Sequence, residues 1–338
     1  MERYAHGGDI YRGSPVELDF SVNLNPYGMP EAVKDAVREG LDAFATYPDP
    51  ECTALRAALS ERHAVPAAHI LCGNGADDLI YRLCFAARPK RALVCAPSFS
   101  EYENAVLASG GEVSYHLLRE QEDFELTDRI LDDLAGIDLI FLCSPNNPTG
   151  KLIDPALIAR IVATGVRLLL DECFLAFTRG SSAAGLLERY KNLVILGAFT
   201  KTYAMAGLRL GYAMTADTPL IAEMKRIAPC WSVSGPAQAA GLRATECTGV
   251  REELLRLLEA ERPRVKRALE AFGFRVWRSD CGFLLFTAPA DLGQKLRARG
   301  IAIRDCSNYP GLGVGFWRIG LKLPEQNDRL LRTIEEVI

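Results

Sequence analysis

From residue 70 to residue 198 the chain repeats one pattern: a short apolar run, a cluster of turn residues, then a stretch with apolar positions three and four apart. The short runs at 70–72, 91–96, 112–117, 138–143, 166–170 and 193–198 read as strands, and 208–214 is a further apolar run. The intervening stretches read as helices, including one opening after Asp78 with Leu79, Ile80, Leu83 and Cys84 apolar, one at 100–108, one from a Thr127 cap to 134, and one at 155–163. Strands alternating with helices at this spacing predict an α/β fold, a three-layer, mostly parallel sheet with helices on both faces. Before it, Pro30 starts a helix with Val33, Val37, Leu41 and Phe44 on one side, and 52–63 reads as a second helix. After residue 216 the texture is more helical, with stretches at 220–227, 236–247 and 252–272, the last expected to kink or split at Pro263. Strands at 274–277, 283–287, 301–304 and 316–319, with helices at 292–299 and 325–337, predict a small C-terminal α/β domain. The organisation expected is an arm at 1–30, a large domain at 31–216, and an interdomain helix with the small domain at 217–338; a contribution of N-terminal residues to the small domain stays open.

Composition changes this picture little. The 338 residues are 49% hydrophobic and 24% charged, ordinary for a globular protein. A net charge of −4 gives no reason to expect nucleic acid or an anionic membrane as partner. No apolar run approaches bilayer-spanning length and the N-terminus lacks a signal-peptide core, so a cytoplasmic protein is expected. The ten cysteines form no C-x-x-C pair, and Cys95 and Cys143 lie in apolar runs, so no metal site is expected.

The candidate chemistry falls at strand ends, where parallel α/β sheets bind ligands. Lys201 follows the 193–198 run beside Thr200, and Arg209 opens the next apolar run. A desolvated lysine near another cation can act as a nucleophile and form a Schiff base. Gly73-Asn74-Gly75-Ala76-Asp77 joins a strand to a helix, so its amides can hold a phosphate. Ser144-Pro145-Asn146-Asn147-Pro148-Thr149-Gly150 ends one strand and Asp171 ends another. Singly, each has a plain reading: a surface lysine, a capping arginine, a Gly-rich helix entry, a Pro/Asn turn, a helix cap.

Together and in this order, S-P-N-N-P-T-G, D-E-x-F and T-K-x-Y-A-x-x-G-L-R-x-G resemble the class I/II aminotransferase superfamily of pyridoxal-phosphate enzymes (fold type I), over nearly the whole chain. The resemblance implies pyridoxal 5'-phosphate as cofactor. Lys201 would bond to its aldehyde and then shuttle protons. Asp171 would pair with the ring nitrogen, and Asn147 would contact the phenolic oxygen. The Ala76 and Asp77 amides, Thr200 and Arg209 would take the phosphate, and Tyr102 would stack on the ring. Tyr47 would reach the cofactor phosphate of a neighbouring subunit, implying a homodimer with a shared site. Arg318 would pair with the substrate carboxylate.

Within the superfamily the chain is most similar to threonine-phosphate decarboxylases of cobalamin biosynthesis, and next to histidinol-phosphate aminotransferases. His6-Gly7-Gly8-Asp9-Ile10, Asp19-Phe20-Ser21-Val22-Asn23-Leu24-Asn25-Pro26 and Ile303-Arg304-Asp305-Cys306-Ser307-Asn308-Tyr309-Pro310-Gly311-Leu312 carry the decarboxylase likeness. Phe174 stands where most aminotransferases of the group have Tyr, which argues against transamination. This implies a phosphorylated amino acid as substrate, with its phosphate on His6, Asn25 and Arg304 and with Arg318 shared between phosphate and carboxylate. Serine phosphate stays open beside threonine phosphate, since one methyl is worth only about 1–3 kcal/mol in a pocket.

Overall fold

The computed structural model describes residues 6–338, so residues 1–5 of the expected arm lie outside the described residues. In chain order the strands are β1 (Leu18–Asp19), β2 (Ile70–Gly73), β3 (Arg91–Ala96), β4 (Glu112–Leu117), β5 (Leu139–Cys143), β6 (Arg167–Asp171), β7 (Leu193–Ala198) and β8 (Gly211–Met214). They continue with β9 (Arg275–Val276), β10 (Phe283–Thr287), β11 (Ile301–Ala302), β12 (Arg304–Asp305) and β13 (Phe316–Gly320). Seven of them form one sheet in the order β2-β8-β7-β6-β5-β3-β4. Only β8 runs against its neighbours; every other adjacent pair is parallel.

The apolar runs become strands because both faces of the sheet are covered, and alternate side chains enter different cores. Leu93, Ile140, Leu142, Leu168, Leu170 and Ile195 pack on one side with Leu55, Leu157 and Ala240 of covering helices. Val94, Phe141, Leu169 and Leu196 pack on the other with Leu79, Leu83, Val106 and Met224. A third core, with Phe283, Phe286, Trp317 and Ile319, is built on the antiparallel sheet β12-β13-β10-β9. Phe20 lies in this third core, fully buried, and β1 pairs in parallel with β11 as a separate two-stranded sheet, so N-terminal residues pack with the C-terminal part of the chain.

Four local expectations change. The 301–304 run is two strands, not one: Ile301–Ala302 pairs with β1, and Arg304–Asp305 with β13. Thr127 does not cap an α-helix; Asp128–Leu134 winds as 3-10 turns, and the Thr127 hydroxyl is taken by Nε of Arg129 at 3.2 Å. Pro263 does not split its helix, which runs as one element over Val250–Ala271 with buried Leu254, Leu258, Val265 and Leu269 anchoring both halves. The last difference is β1 itself, too short to leave a period in the sequence. Among the described residues no helix is long and apolar enough to cross a membrane, and no cluster of metal-ligating side chains occurs. Cys95 and Cys143 are buried free thiols.

Candidate active site

Asp171 and Lys201 reach the same end of the sheet on neighbouring parallel strands. Asp171 closes β6 and pairs in register with Leu196 of β7, and β7 leads directly into the short helix Phe199–Thr202 that carries Lys201. Asp171 is buried, which raises its carboxyl above the usual range. Two donors act against that: the Cys173 amide gives to Oδ1 at 2.9 Å and the Tyr102 hydroxyl to Oδ2 at 2.6 Å. Burial lowers Lys201 below the ordinary lysine range, and its Nζ sits 5.7 Å from the centre of the Phe174 ring.

Tyr102 and Phe99 both line the cavity that holds Lys201, and they differ in exposure. The Tyr102 ring is fully buried and stacked on Phe141 at 5.1 Å. The residue of this turn with a partly open ring is Phe99, edge-on to Tyr102 at 5.6 Å and in the cavity wall. Phe99 and Tyr102 are three residues apart in the chain, and only the path of the helix entrance separates them.

A cup of amides lies beside the lysine. Gly73 of β2 pairs with Gly211 of β8, and a Cβ on Gly211 would stand 2.6 Å from the Ala76 nitrogen. Gly75 has φ +87°, and a Cβ there would stand 2.6 Å from Nη2 of Arg209. These two glycines let the backbone of β8 and the guanidinium of Arg209 close on the start of helix Ala76–Ala87. Arg209, itself left-handed at φ +57°, donates to Asp77 Oδ2 at 3.2 Å. Ala76, Asp77, Asn147, Asp171, Thr200, Lys201 and Arg209 thus line one cavity of about 120 Å³.

An adjoining cavity of about 370 Å³ shares Asp77, Asn147, Lys201 and Arg209 with the first and adds His6, Arg304 and Arg318. Arg304 and Arg318 face each other in register across β12 and β13, both about 5% exposed, and neither has a carboxylate partner among the described residues. Arg304 donates to Asn308 Oδ1 at 2.8 Å; Arg318 donates to Asn147 Oδ1 and to the Ser21 carbonyl, and its Nε is buried without a partner.

One more assignment shifts. Asn25 is not in either cavity wall: its Nδ2 donates to the Thr202 carbonyl at 2.9 Å and its amide to the Lys201 carbonyl at 3.0 Å, so it fixes the lysine-bearing turn. Asn23, two residues earlier, lines the larger cavity with a buried Oδ1 that lacks a partner. The sequence held that signal in the Asn23-Leu24-Asn25 alternation but not which asparagine faced inward. Tyr47, expected at a neighbouring subunit's site, lines neither of these cavities in its own chain and is 78% exposed, stacked on Trp231 at 4.3 Å.

The chain belongs to the aminotransferase class I and II family, whose model matches residues 15–334. It is 36% identical to a threonine-phosphate decarboxylase of Salmonella typhimurium, over 99% of this chain and 96% of that one. Among solved structures it superposes on a histidinol-phosphate aminotransferase of Clostridium acetobutylicum with a TM-score of 0.89 and 28% identity, covering 95% of this chain and 98% of that one. An L-threonine-O-3-phosphate decarboxylase of Porphyromonas gingivalis gives 0.87 and 26%, covering 94% and 98%.

Proposed function

We propose that this chain is a pyridoxal-phosphate-dependent decarboxylase that converts L-threonine O-3-phosphate to aminopropanol phosphate and CO₂, a step of cobalamin biosynthesis. The observation that carries the reading is the Arg304–Arg318 pair. Like charges directly opposite on neighbouring strands are destabilising, and buried ones more so, unless an anion neutralises them. A phosphate dianion next to the lysine meets that need. The 36% identical decarboxylase supports the choice of substrate.

The residues present fit pyridoxal phosphate. The Ala76 and Asp77 amides, Thr200 and Arg209 form a phosphate cup that a Cβ on Gly75 or Gly211 would fill. Asp171 would pair with the ring nitrogen, Asn147 with the phenolic oxygen, and Phe99, in place of Tyr102, would cover the ring. When bound, the cofactor supplies an aldehyde that bonds to an amine and a conjugated ring that takes up the electron pair left at the substrate Cα.

The protein's own part is to hold charge and aim bonds. Tyr102 and the Cys173 amide keep Asp171 oriented as an acceptor despite its burial. Lys201, with its proton affinity lowered, can present Nζ as a free amine and can later carry a proton to the substrate Cα. Asn23, Arg304 and His6 would grip the remote phosphate, and that binding energy would set which Cα bond stands perpendicular to the cofactor ring. Both terminal nitrogens of Arg318 already donate within the protein, which disfavours a bidentate grip on the substrate carboxylate and leaves that group free to depart. Phe174 brings no hydroxyl to the cofactor, in keeping with decarboxylation. The exposed Tyr47–Trp231 stack supports a homodimer in which each Tyr47 serves the other subunit's site.

The test uses purified protein loaded with pyridoxal phosphate. An absorbance band of bound cofactor should disappear in Lys201→Ala, and threonine phosphate without any keto acid should release CO₂ and aminopropanol phosphate in equal amounts. Release from serine phosphate in preference would move the substrate down by one methyl. Amino transfer from histidinol phosphate to 2-oxoglutarate, with no CO₂ from threonine phosphate, would replace this reading with the aminotransferase.

A further inference from the structure

The N-terminal segment crosses the protein as a strap and is tied along its length. One guanidinium, that of Arg297, donates to three of its carbonyls, those of Ser14 at 3.0 Å, Asp9 at 2.9 Å and Arg12. Nearer the cavity the Gly8 amide donates to Ser21 Oγ at 2.8 Å, and the chain runs so close that a Cβ on Gly7 would stand 2.3 Å from the Ser21 carbonyl oxygen. Past Gly7 the anchor is a side chain: Nε2 of His6 lies 2.9 Å from Oε1 of Glu101, with the imidazole tilted against Phe99 at 5.7 Å.

Glu101 is held firmly itself. The Tyr81 hydroxyl donates to its Oε2 at 3.0 Å and Asn104 Nδ2 to its Oε1 at 3.1 Å, and its side chain is 13% exposed. It also lines the 370 Å³ cavity. Of the two carboxylates in that wall, Asp77 is paired with Arg209, whereas Glu101 has no Arg or Lys partner among the described residues and, left bare, would repel an anionic occupant that Arg304, Arg318 and Lys201 attract. The contact that accounts for it is His6, whose hydrogen bond is the chief cause holding the Glu101 carboxyl below its usual range.

We propose that Glu101 is a positioning residue for substrate binding: anchored by Tyr81 and Asn104, it fixes the His6 imidazole, and the strap behind it, across the mouth of the phosphate-binding cavity. The proposal rests on the assignment of that cavity to a phosphorylated amino acid. Glu101 acts through His6 and not on the phosphate, which a carboxylate would repel. A geometry fixed in advance spares the substrate the ordering of the arm.

A double-mutant cycle in the full-length holoenzyme tests this, with Glu101→Ala, His6→Ala and both together. Losing a hydrogen bond to a charged group predicts that Glu101→Ala raises KM for threonine phosphate about tenfold with kcat within about twofold, that His6→Ala, which also removes a phosphate contact, raises KM at least as much, and that the double change costs no more than His6→Ala alone. Glu101→Gln keeps an acceptor for His6 and Asn104 and a donor for the Tyr81 oxygen, so it should restore KM to within about threefold of the parent. Trypsin cleavage after the exposed Arg12 should quicken in both Ala variants and not in Glu101→Gln. KM effects that multiply in the double variant, a loss in kcat alone, or unchanged cleavage in Glu101→Ala would overturn the proposal. If the parent enzyme itself fails to turn over threonine phosphate, the substrate assignment falls, while the cleavage pattern still reports whether Glu101 holds the strap.

Discussion

The Tyr102 hydroxyl donates to Oδ2 of Asp171 at 2.6 Å, and both residues are buried. Tyr102 therefore serves the site from behind, as the donor that makes a buried carboxylate tolerable. Tyr102→Phe should keep the ring stack on Phe141 and leave one carboxylate oxygen short of a partner, at a cost of about 1–3 kcal/mol. Denaturant unfolding of the cofactor-free protein reads that cost, and titration with pyridoxal phosphate should show weaker binding. An unchanged unfolding midpoint would mean that Asp171 does not need the hydroxyl.

Gly211→Ala addresses the cup. The new methyl would meet the Ala76 nitrogen at 2.6 Å, a backbone atom that cannot step aside without moving the helix entrance. Overpacking of this kind costs about 1–3 kcal/mol. Cofactor affinity, followed by absorbance, should drop at least about tenfold, since every ~1.4 kcal/mol is a factor of ten. Affinity equal to the parent would show that the phosphate is not held at this entrance.

Asn23→Ala separates substrate from cofactor. Asn23 lines the larger cavity and not the one that holds the cup. KM for threonine phosphate should rise about 10-fold or more, the loss expected for a hydrogen bond in a charged setting, while pyridoxal phosphate binds as before. The companion change Asn25→Ala should instead lower kcat, because Asn25 fixes the turn that carries Lys201.

Glu172 gives the fold a pH signature. Burial pushes its carboxyl up to about 7 from 4.5, against the hydrogen bonds from the Ala183 amide and the Ser182 hydroxyl. Between those values the folded chain keeps a proton that the unfolded chain has released. The group's contribution is therefore greatest below pH 4.5, declines as pH rises to 7 and is flat beyond. At ~1.4 kcal/mol per unit the swing is at most about 3.5 kcal/mol. Urea midpoints from pH 5 to 8 should fall with pH more steeply for the parent than for Glu172→Gln; parallel curves would contradict it.

Much of the central sheet was legible because most of its strands are buried on both faces, so 91–96, 138–143 and 193–198 stand out as apolar runs between turns. The convergence of Asp171, Lys201, Thr200 and Arg209 was legible for the same reason: each sits at or just past an end of such a run. What the sequence hid depends on register or on facing. Arg304 and Arg318 are fourteen positions apart in the chain, and nothing local says that β12 and β13 set them opposite one another. Asn23 and Asn25 look alike in sequence, as do Phe99 and Tyr102, and the choice within each pair is made by packing against distant residues. The β1–β11 pairing joins positions too far apart, over too few residues, to leave a pattern.

That two-residue pairing has a consequence for how the molecule is made. Leu18 finds its partner in Ile301, about 280 residues later, and at roughly 5–20 residues per second a ribosome needs some ~15–60 s to supply it. The segment that brings His6, Ser21 and Asn23 to the cavity must wait unpaired for that interval, while the strands bearing Asp171 and Lys201 can already assemble. The half of the site that holds the cofactor can be complete before the half that selects the substrate exists.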